Sequence, residues 1–172
     1  MPSQPATPGR VAEAFAQFAQ SIAAKERIAV PELDCRVAAS AALPDGAVAT
    51  LWVATAQSAR SRCYHVDVTA DAGHSATGTG ACTVPDERIS LNRAGSLVVG
   101  SVGSNPAASV RVTTQQGTAT LPVTAGYFLV PPDLTAEPDA RHDLALMDSA
   151  GAVTAEATEL AAPGATLPTP SQ

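Results

Sequence analysis

The sequence predicts a mainly β protein: a β-sandwich (Ig-like) or meander barrel of about seven or eight short antiparallel strands, preceded by one N-terminal amphipathic helix. Three observations support this fold class. From residue 35 onward, apolar and polar residues alternate with a period of two. Turn-forming residues interrupt these runs roughly every 8–12 positions. Helical spacing of apolar residues is confined to residues 10–28.

The length of 172 residues suits one domain with a helical appendage. We expect disordered segments over residues 1–9 and 162–172, because both are rich in Pro, Gly, Ser and Thr and bury little apolar surface. The amphipathic helix is expected over residues 10–30 and the β-sandwich domain over residues 31–161.

Charge and hydropathy exclude two classes of partner. The net charge is −6, and the ten Lys and Arg side chains are scattered, whereas binding to a phosphate backbone needs clustered positive charge. We therefore expect no nucleic-acid partner. No apolar run approaches the ~20 residues of a membrane-spanning helix. The N-terminus also lacks the basic-then-apolar pattern of a signal peptide.

The predicted helix has one apolar face, formed by residues spaced four, three and four positions apart: Val11, Phe15, Phe18 and Ile22. We expect this face to dock on the β domain or on a partner copy. A membrane-surface anchor is disfavoured because the polar face carries too little Lys and Arg. Pro31 is expected to end the helix.

Nine segments have the alternation or composition of strands: residues 48–55, 62–69, 87–92, 96–103, 109–115, 118–124, 127–130, 143–148 and 152–157. In the second, Tyr64, Val66 and Val68 are predicted to face the core, and the opposite face is expected to be ordinary polar surface. Residues 70–81 are predicted to form a loop rich in Gly, Ser and Thr. Pro122 indicates an edge strand or a bulge, because proline cannot donate to a ladder.

Several segments between Leu51 and Val130 resemble a known class of protein: LWVAT followed by Cys63, then Cys82 beyond a glycine-rich segment, VVGSVGSNPAASVRV and TLPVTAGYFLV. Together they resemble the extracytoplasmic β-domains of uncharacterised actinobacterial proteins, which are usually tethered by a helix or a single membrane span. The abundance of Ala, Thr and Val agrees with a GC-rich genome. The resemblance implies an extracytoplasmic β-sandwich but no reaction, and this sequence differs in lacking the membrane span.

Cysteine pairing bears on localisation. In an oxidising compartment Cys63 and Cys82 can form a disulfide across the glycine-rich segment. Two buried free thiols, or pairing of Cys35 with Cys63, are the alternatives. An extracytoplasmic location is favoured if Cys63 and Cys82 are bridged, and a cytoplasmic one otherwise.

Two sets of residues have the side-chain types that metal binding or nucleophilic catalysis uses. His65 and Asp67, with Asp71 and His74, supply metal-ligand types, but no spacing typical of a zinc site supports them. Cys63 or Cys82 beside a histidine resembles a nucleophilic pair only superficially, because no nucleophile elbow is present. We therefore expect no catalytic residue and no metal site here.

Two further segments have simpler interpretations. Residues 73–80 contain glycines but lack the Gly-Lys-Ser/Thr ending of a phosphate-binding loop. Residues 133–143 are acidic but lack the spacing of a calcium-binding loop. We expect a flexible hairpin loop and a solvated connection, respectively, and no cofactor.

The functional hypothesis from the sequence is a non-catalytic binding or interaction module of unknown ligand that acts outside the cytoplasm, with a protein partner or self-association. The alternative is a structural subunit of a larger envelope or phage-like assembly. A hydrolase or metal-dependent enzyme is disfavoured, since no nucleophile, acid and base form a recognisable set.

Overall fold

The structure, a computed structural model, describes residues 8–69, 76–94, 96–135 and 141–160 of the 172-residue chain. It confirms the mainly β class, with a sandwich-like arrangement of strands behind one N-terminal helix. The predicted tails over residues 1–9 and 162–172 lie outside the described residues, apart from Pro8 and Gly9.

The helix, α1 (Gly9–Glu26), is followed by eleven strands within the described ranges, more than the sequence predicts. In chain order they are β1 (Asp34–Ala42), β2 (Val48–Thr55), β3 (Arg62–Thr69), β4 (Ala76–Thr83), β5 (Ser90–Ala94), β6 (Leu97–Ser101), β7 (Ser109–Thr114), β8 (Gly117–Pro122), β9 (Tyr127–Val130), β10 (Arg141–Met147) and β11 (Val153–Leu160).

The strands form three separate antiparallel sheets rather than a barrel, within the described part of the chain. Sheet A has the order β1-β2-β3-β4, sheet B the order β5-β6-β9, and sheet C the order β11-β10-β7-β8. Pro122 ends β8, an outer strand of sheet C, as expected for a residue that cannot donate to a ladder.

Sheet B lies between the other two sheets, because its strands alternate side chains between two apolar clusters. Leu97, Val99, Tyr127 and Leu129 pack against the inner face of sheet A. Their neighbours Val98, Phe128 and Val130 pack instead with residues of sheet C, such as Val110 and Leu146. Sheet B is therefore buried on both sides, which explains the continuous apolar run Tyr127–Val130.

Helix α1 ends at Glu26, four residues before the predicted boundary at residue 30. Arg27 adopts the left-handed conformation with φ 56°, and the N–H of Ile28 donates to the carbonyl of Ala23 at 3.1 Å. This left-handed cap ends the helix before the restriction imposed by Pro31 applies.

Strand β1 contributes to two cores because a β-bulge interrupts it between Val37 and Ala39. Before the bulge, Cys35 and Val37 belong to the cluster beneath α1. After it, Ala39 and Ala41 pack into the cluster between sheets A and B. The extra residue reverses which face each side chain joins.

The predicted loop over residues 70–81 is partly wrong, because residues 76–83 form β4, paired with β3 throughout. Residues 70–75 lie outside the described residues. A Cβ atom on Gly78 would collide with the imidazole of His65, and one on Gly80 would collide with the carbonyl of Tyr64. The small residues that resembled a loop therefore make room for β3 and its side chains.

The acidic segment over residues 133–143, predicted to be a solvated connection, is partly buried. Leu134 and Thr135 are buried, and Thr135 Oγ1 lies 3.0 Å from His142 Nε2. Residues 136–140 lie outside the described residues. The start of this segment is thus part of the sheet B–sheet C core.

A disulfide joins Cys63 of β3 to Cys82 of β4, which occupy directly opposite positions in the ladder. The two cysteines are 19 positions apart, so the crosslink closes a loop of moderate size. Such a loop restricts the unfolded chain and thereby stabilises the folded state. Cys35 has a free thiol.

We predict that replacing both Cys63 and Cys82 by alanine lowers the free energy of unfolding by about 3 kcal/mol, because the unfolded chain regains its loop entropy. Urea unfolding of the oxidised wild type and the double variant measures this difference. Cys35→Ala is the control and is expected to cost less than about 1 kcal/mol. Equal stabilities of wild type and double variant would contradict the stabilising role of the crosslink.

Candidate functional site

Helix α1 lies across the outer face of sheet A, which we define by Trp52, Ala54, Cys63, His65 and Asp67. Its apolar residues Val11, Phe15 and Ile22 are at most 3% exposed, and Phe18 is partly buried beside them. They pack with Trp52, Ala54 and Cys63. Of the two docking modes that the sequence left open, the structure shows the helix face on the β domain of the same chain.

A salt bridge fastens the beginning of α1 to β3. The guanidinium of Arg10 donates from Nε and Nη2 to the two carboxylate oxygens of Asp67, both at 2.8 Å. Nη2 also donates to Thr69 Oγ1 at 3.2 Å. The Asp67 side chain is only 4% exposed. Its negative charge has therefore lost most of its hydration and depends on Arg10 to replace it. The hydrogen bond between Arg10 and Asp67 raises the pKa of the Arg10 guanidinium.

The end of α1 is fastened by a carboxylate. Glu26 accepts hydrogen bonds from the backbone N–H groups of Arg60 and Ser61, at 2.8 and 3.1 Å, and from the Ser61 hydroxyl at 2.7 Å. The Arg60 and Ser61 hydrogen bonds lower the pKa of Glu26 because they favour its ionised form. The helix is thus held at both ends by polar contacts and between them by apolar ones.

His65 lies beneath the middle of α1 and corrects the expectation that this face is polar surface. It is 8% exposed, and its ring centroid lies 6.2 Å from that of Phe15 and 6.5 Å from that of Phe18. Its Nδ1 atom is buried without a hydrogen-bond partner among the described residues. Burial, which disfavours the charged imidazolium, lowers the pKa of His65.

An open apolar groove runs between α1 and the segment that leads into β1. We call it the α1 groove; its volume is about 540 Å³, and its lining comprises Ala12, Phe15, Ala16, Ala19, Gln20, Val30, Pro31, Leu33 and Cys35. Val30 is 62% exposed. The Cys35 thiol lies 3.7 Å from the Leu33 carbonyl oxygen, and burial raises its pKa, which keeps it in the less reactive thiol form.

A polar cleft continues from the α1 groove at Leu33, which lines both. Its charged residues are Glu32, Asp34 and Arg36, and its volume is about 620 Å³. Arg36 Nη2 lies 3.6 Å from an Asp34 carboxylate oxygen. Two acidic groups against one basic group leave this cleft with an excess of negative charge.

A second concave surface lies on the outer side of sheet C, with a volume of about 460 Å³ and polar lining residues that include Arg111, Thr113, Asp143, Glu156 and Thr158. Thr158 donates to Asp143 at 2.8 Å, and Thr113 shares a hydrogen bond with Thr118 at 3.1 Å. This surface is therefore polar and carries charges of both signs, in contrast to the lining of the α1 groove.

Among the residues that it describes, the structure does not bring the metal and nucleophile candidates of the sequence together into a site. His65 and Asp67 share the outer face of sheet A, but Asp67 is engaged by Arg10. Asp71 and His74 lie outside the described residues. Over the described ranges, no group of three or more His, Cys, Asp or Glu side chains has an arrangement that could hold a metal ion. The sulfur atoms of Cys63 and Cys82 are joined in the disulfide, so neither cysteine has the free thiol that a nucleophile would need.

Sequence reasoning missed the Arg10–Asp67 and Glu26–Ser61 contacts, because they join residues far apart in the chain. One signal in the sequence indicates that a further layer covers the outer face of sheet A, although it does not identify these contacts. Both faces of β2 are apolar, with Leu51 and Val53 on one and Trp52 and Ala54 on the other, so a second layer had to cover the outer face.

Comparison with protein-family models gave no match, and a search of curated proteins gave no significant relative. In the described part of the chain, no helix combines the length and the apolar character needed to cross a lipid bilayer.

We predict that Arg10→Gln lowers the free energy of unfolding by about 1–3 kcal/mol, because it leaves the buried Asp67 carboxylate without its donors. Urea unfolding at pH 7.5 measures the change. Arg36→Gln is the matched control, since its partner Asp34 is exposed and such pairs contribute less than about 1 kcal/mol. Equal effects of the two substitutions would contradict the fastening role of Arg10.

Proposed function

We propose that this protein is a non-catalytic binding module that acts outside the cytoplasm and holds an apolar segment of a protein partner in the α1 groove. The observation that carries the proposal is the open apolar lining of this groove, with Val30 62% exposed at its margin. Exposed apolar surface that is concave favours an interaction site over ordinary solvent-facing surface.

The size of the groove suits a short peptide segment rather than a single small side chain. Its volume of about 540 Å³ falls within the range of ligand-binding clefts. One wall is helix α1, which is fastened at both ends by Asp67 and by Ser61. Because this wall is already held in place, binding a peptide would cost less conformational entropy, which favours affinity.

The adjoining cleft indicates the chemistry of the partner. Its excess of negative charge, from Glu32 and Asp34, favours a basic group on the partner next to the apolar segment. The protein as a whole carries a net charge of −6, which would also favour association with a basic partner. The proposed ligand is therefore a segment of apolar residues with Lys or Arg next to it in the sequence.

An extracytoplasmic setting is supported by the Cys63–Cys82 disulfide. Disulfides form and persist in oxidising compartments and are rare where thiols are kept reduced. The resemblance of residues 51–130 to extracytoplasmic actinobacterial β-domains points in the same direction.

The binding proposal predicts which peptides the protein selects. Random dodecapeptides displayed on phage are selected on the wild-type protein alone, and the selected peptides are then measured on Ala16→Arg, which places a charged side chain in the α1 groove. We expect enrichment of apolar segments flanked by basic residues, with binding weakened at least ~10-fold by Ala16→Arg, equivalent to about 1.4 kcal/mol.

Gln17→Arg is the control, since residue 17 is exposed on α1 and does not line the groove. It is expected to bind the selected peptides as the wild type does. Selected peptides that bind Ala16→Arg and wild type equally would contradict the assignment of the groove. Large symmetric oligomers of the purified protein in light scattering would favour the structural-subunit alternative instead.

The extracytoplasmic proposal predicts the redox state of the three cysteines. Thiol titration under denaturing conditions, on protein recovered from its native compartment with alkylation at lysis, is expected to give one free thiol without reductant and three with it. The single thiol would be that of Cys35. Three free thiols without reductant would contradict both the disulfide in the cell and the proposed location.

A further inference from the structure

His65 is unusual because it is a polar, titratable side chain that is buried without its full set of hydrogen bonds in the described part of the chain. It is 8% exposed, lies under Phe15 and Phe18 of α1, and has a buried Nδ1 atom without a hydrogen-bond partner among the described residues. An apolar side chain would fill this space without leaving a polar atom unsatisfied.

The space for this imidazole is built by the neighbouring strand. Gly80 is opposite His65 in the ladder, and a Cβ atom on Gly78 would collide with the imidazole. Larger residues at 78 would therefore displace the histidine. The imidazole is enclosed by β4 on one side and by the aromatic rings of α1 above it.

Few charged groups face His65 from the elements around it. On its own strand Asp67 is the acidic neighbour, which favours the imidazolium, and on α1 Arg10 disfavours it. The described residues of β2 and β4 that share this face carry no titratable group: Thr50, Trp52, Ala54, Gly78, Gly80 and the disulfide-bonded Cys82. Both oxygens of Asp67 already accept hydrogen bonds from Arg10, so the nearest carboxylate is committed.

Protonation of His65 therefore places a charge and a second N–H donor in an apolar enclosure. An imidazolium needs both nitrogens hydrated or hydrogen-bonded, and burying an uncompensated charge is costly. Nδ1 is buried and has no partner among the described residues, so its proton can be hydrated only if the packing around it opens. The covering helix is the element that can move, because it joins sheet A by side-chain packing and end contacts rather than by a backbone ladder.

We propose that α1 is an acid-released cover: protonation of His65 loosens the helix from sheet A while the sheets themselves remain folded. The device does not rest on the proposed peptide binding, although release of α1 would remove one wall of the α1 groove. The clusters between sheets A and B and between sheets B and C contain no residue of α1, so they are preserved when the helix departs. The disulfide keeps β3 and β4 together.

The direction of the pH effect follows from burial. Burial lowers the pKa of His65 in the folded protein relative to the unfolded or released state, so the released state binds the proton more strongly. The docked helix is fully stable above the ordinary histidine pKa of about 6.5 and loses stability as the pH falls below it. Each pH unit below that value shifts the docking equilibrium by at most about tenfold.

Amide hydrogen exchange of the 172-residue protein at pH 7.5 and 5.0 tests the proposal, with rates corrected for intrinsic exchange. We expect the protection of α1 amides between Phe15 and Ile22 to fall about 5- to 30-fold relative to amides of β10, the upper limit being that of one proton over about 1.5 pH units. The emission of Trp52, the one tryptophan of the chain, is expected to shift to longer wavelength over the same range.

His65→Leu removes the titrating group and keeps an apolar side chain, so its α1 protection is expected to be equal at the two pH values. His74→Gln, which removes a different histidine, is the control and is expected to behave as the wild type. If His65→Leu does not fold, the ¹³Cε1 shift of His65 in the wild type gives its titration midpoint directly. Constant α1 protection, loss of α1 and β10 protection together, or a His65 midpoint that does not coincide with α1 release would overturn the proposal.

Discussion

The arrangement of layers depends on one constraint: sheet A carries apolar side chains on both of its faces, so burial of both faces stabilises the structure. Its inner face packs on sheet B through residues such as Leu51 and Val66. Its outer face carries the largest aromatic side chain of the chain, Trp52, together with Ala54, and neither can remain in water without loss of hydrophobic stabilisation. Helix α1 meets this requirement and is therefore a layer of the fold rather than an appendage.

The polar groups beneath the helix make this layer conditional. Asp67 requires Arg10, because a buried carboxylate without donors is costly. His65 requires the space left by Gly78, and its burial disfavours the imidazolium and lowers its pKa. The apolar contacts thus supply the attraction between helix and sheet, and the ionisable groups determine under which conditions it persists. The α1 groove lies at the margin of the same layer, so its shape depends on where the helix lies.

Many of the helix and strand positions can be predicted from the sequence, but which elements pack against each other cannot. The boundaries of β2, β3 and β9 coincide with predicted segments, because alternation and apolar runs are local signals. Strand β4 escaped prediction because its Gly and Thr residues have loop-like composition, whereas the need for small residues there comes from His65 and Tyr64 on the neighbouring strand. The candidate site was predictable only as an apolar helix face. Which sheet receives it, and that Arg10 meets Asp67, depends on packing between distant segments.

The most direct test of the central claim is whether α1 contacts the outer face of sheet A in solution. Nuclear Overhauser effects from the ring protons of Phe15, measured at pH 7.5 on protein with its disulfide intact, report this contact. The structure predicts cross-peaks to the imidazole of His65 and to Phe18, whose ring centroids lie 6.2 and 5.8 Å from that of Phe15. Cross-peaks to Phe18 alone, which is a neighbour on the same helix, would show a helix that is formed but not docked, and would contradict the account.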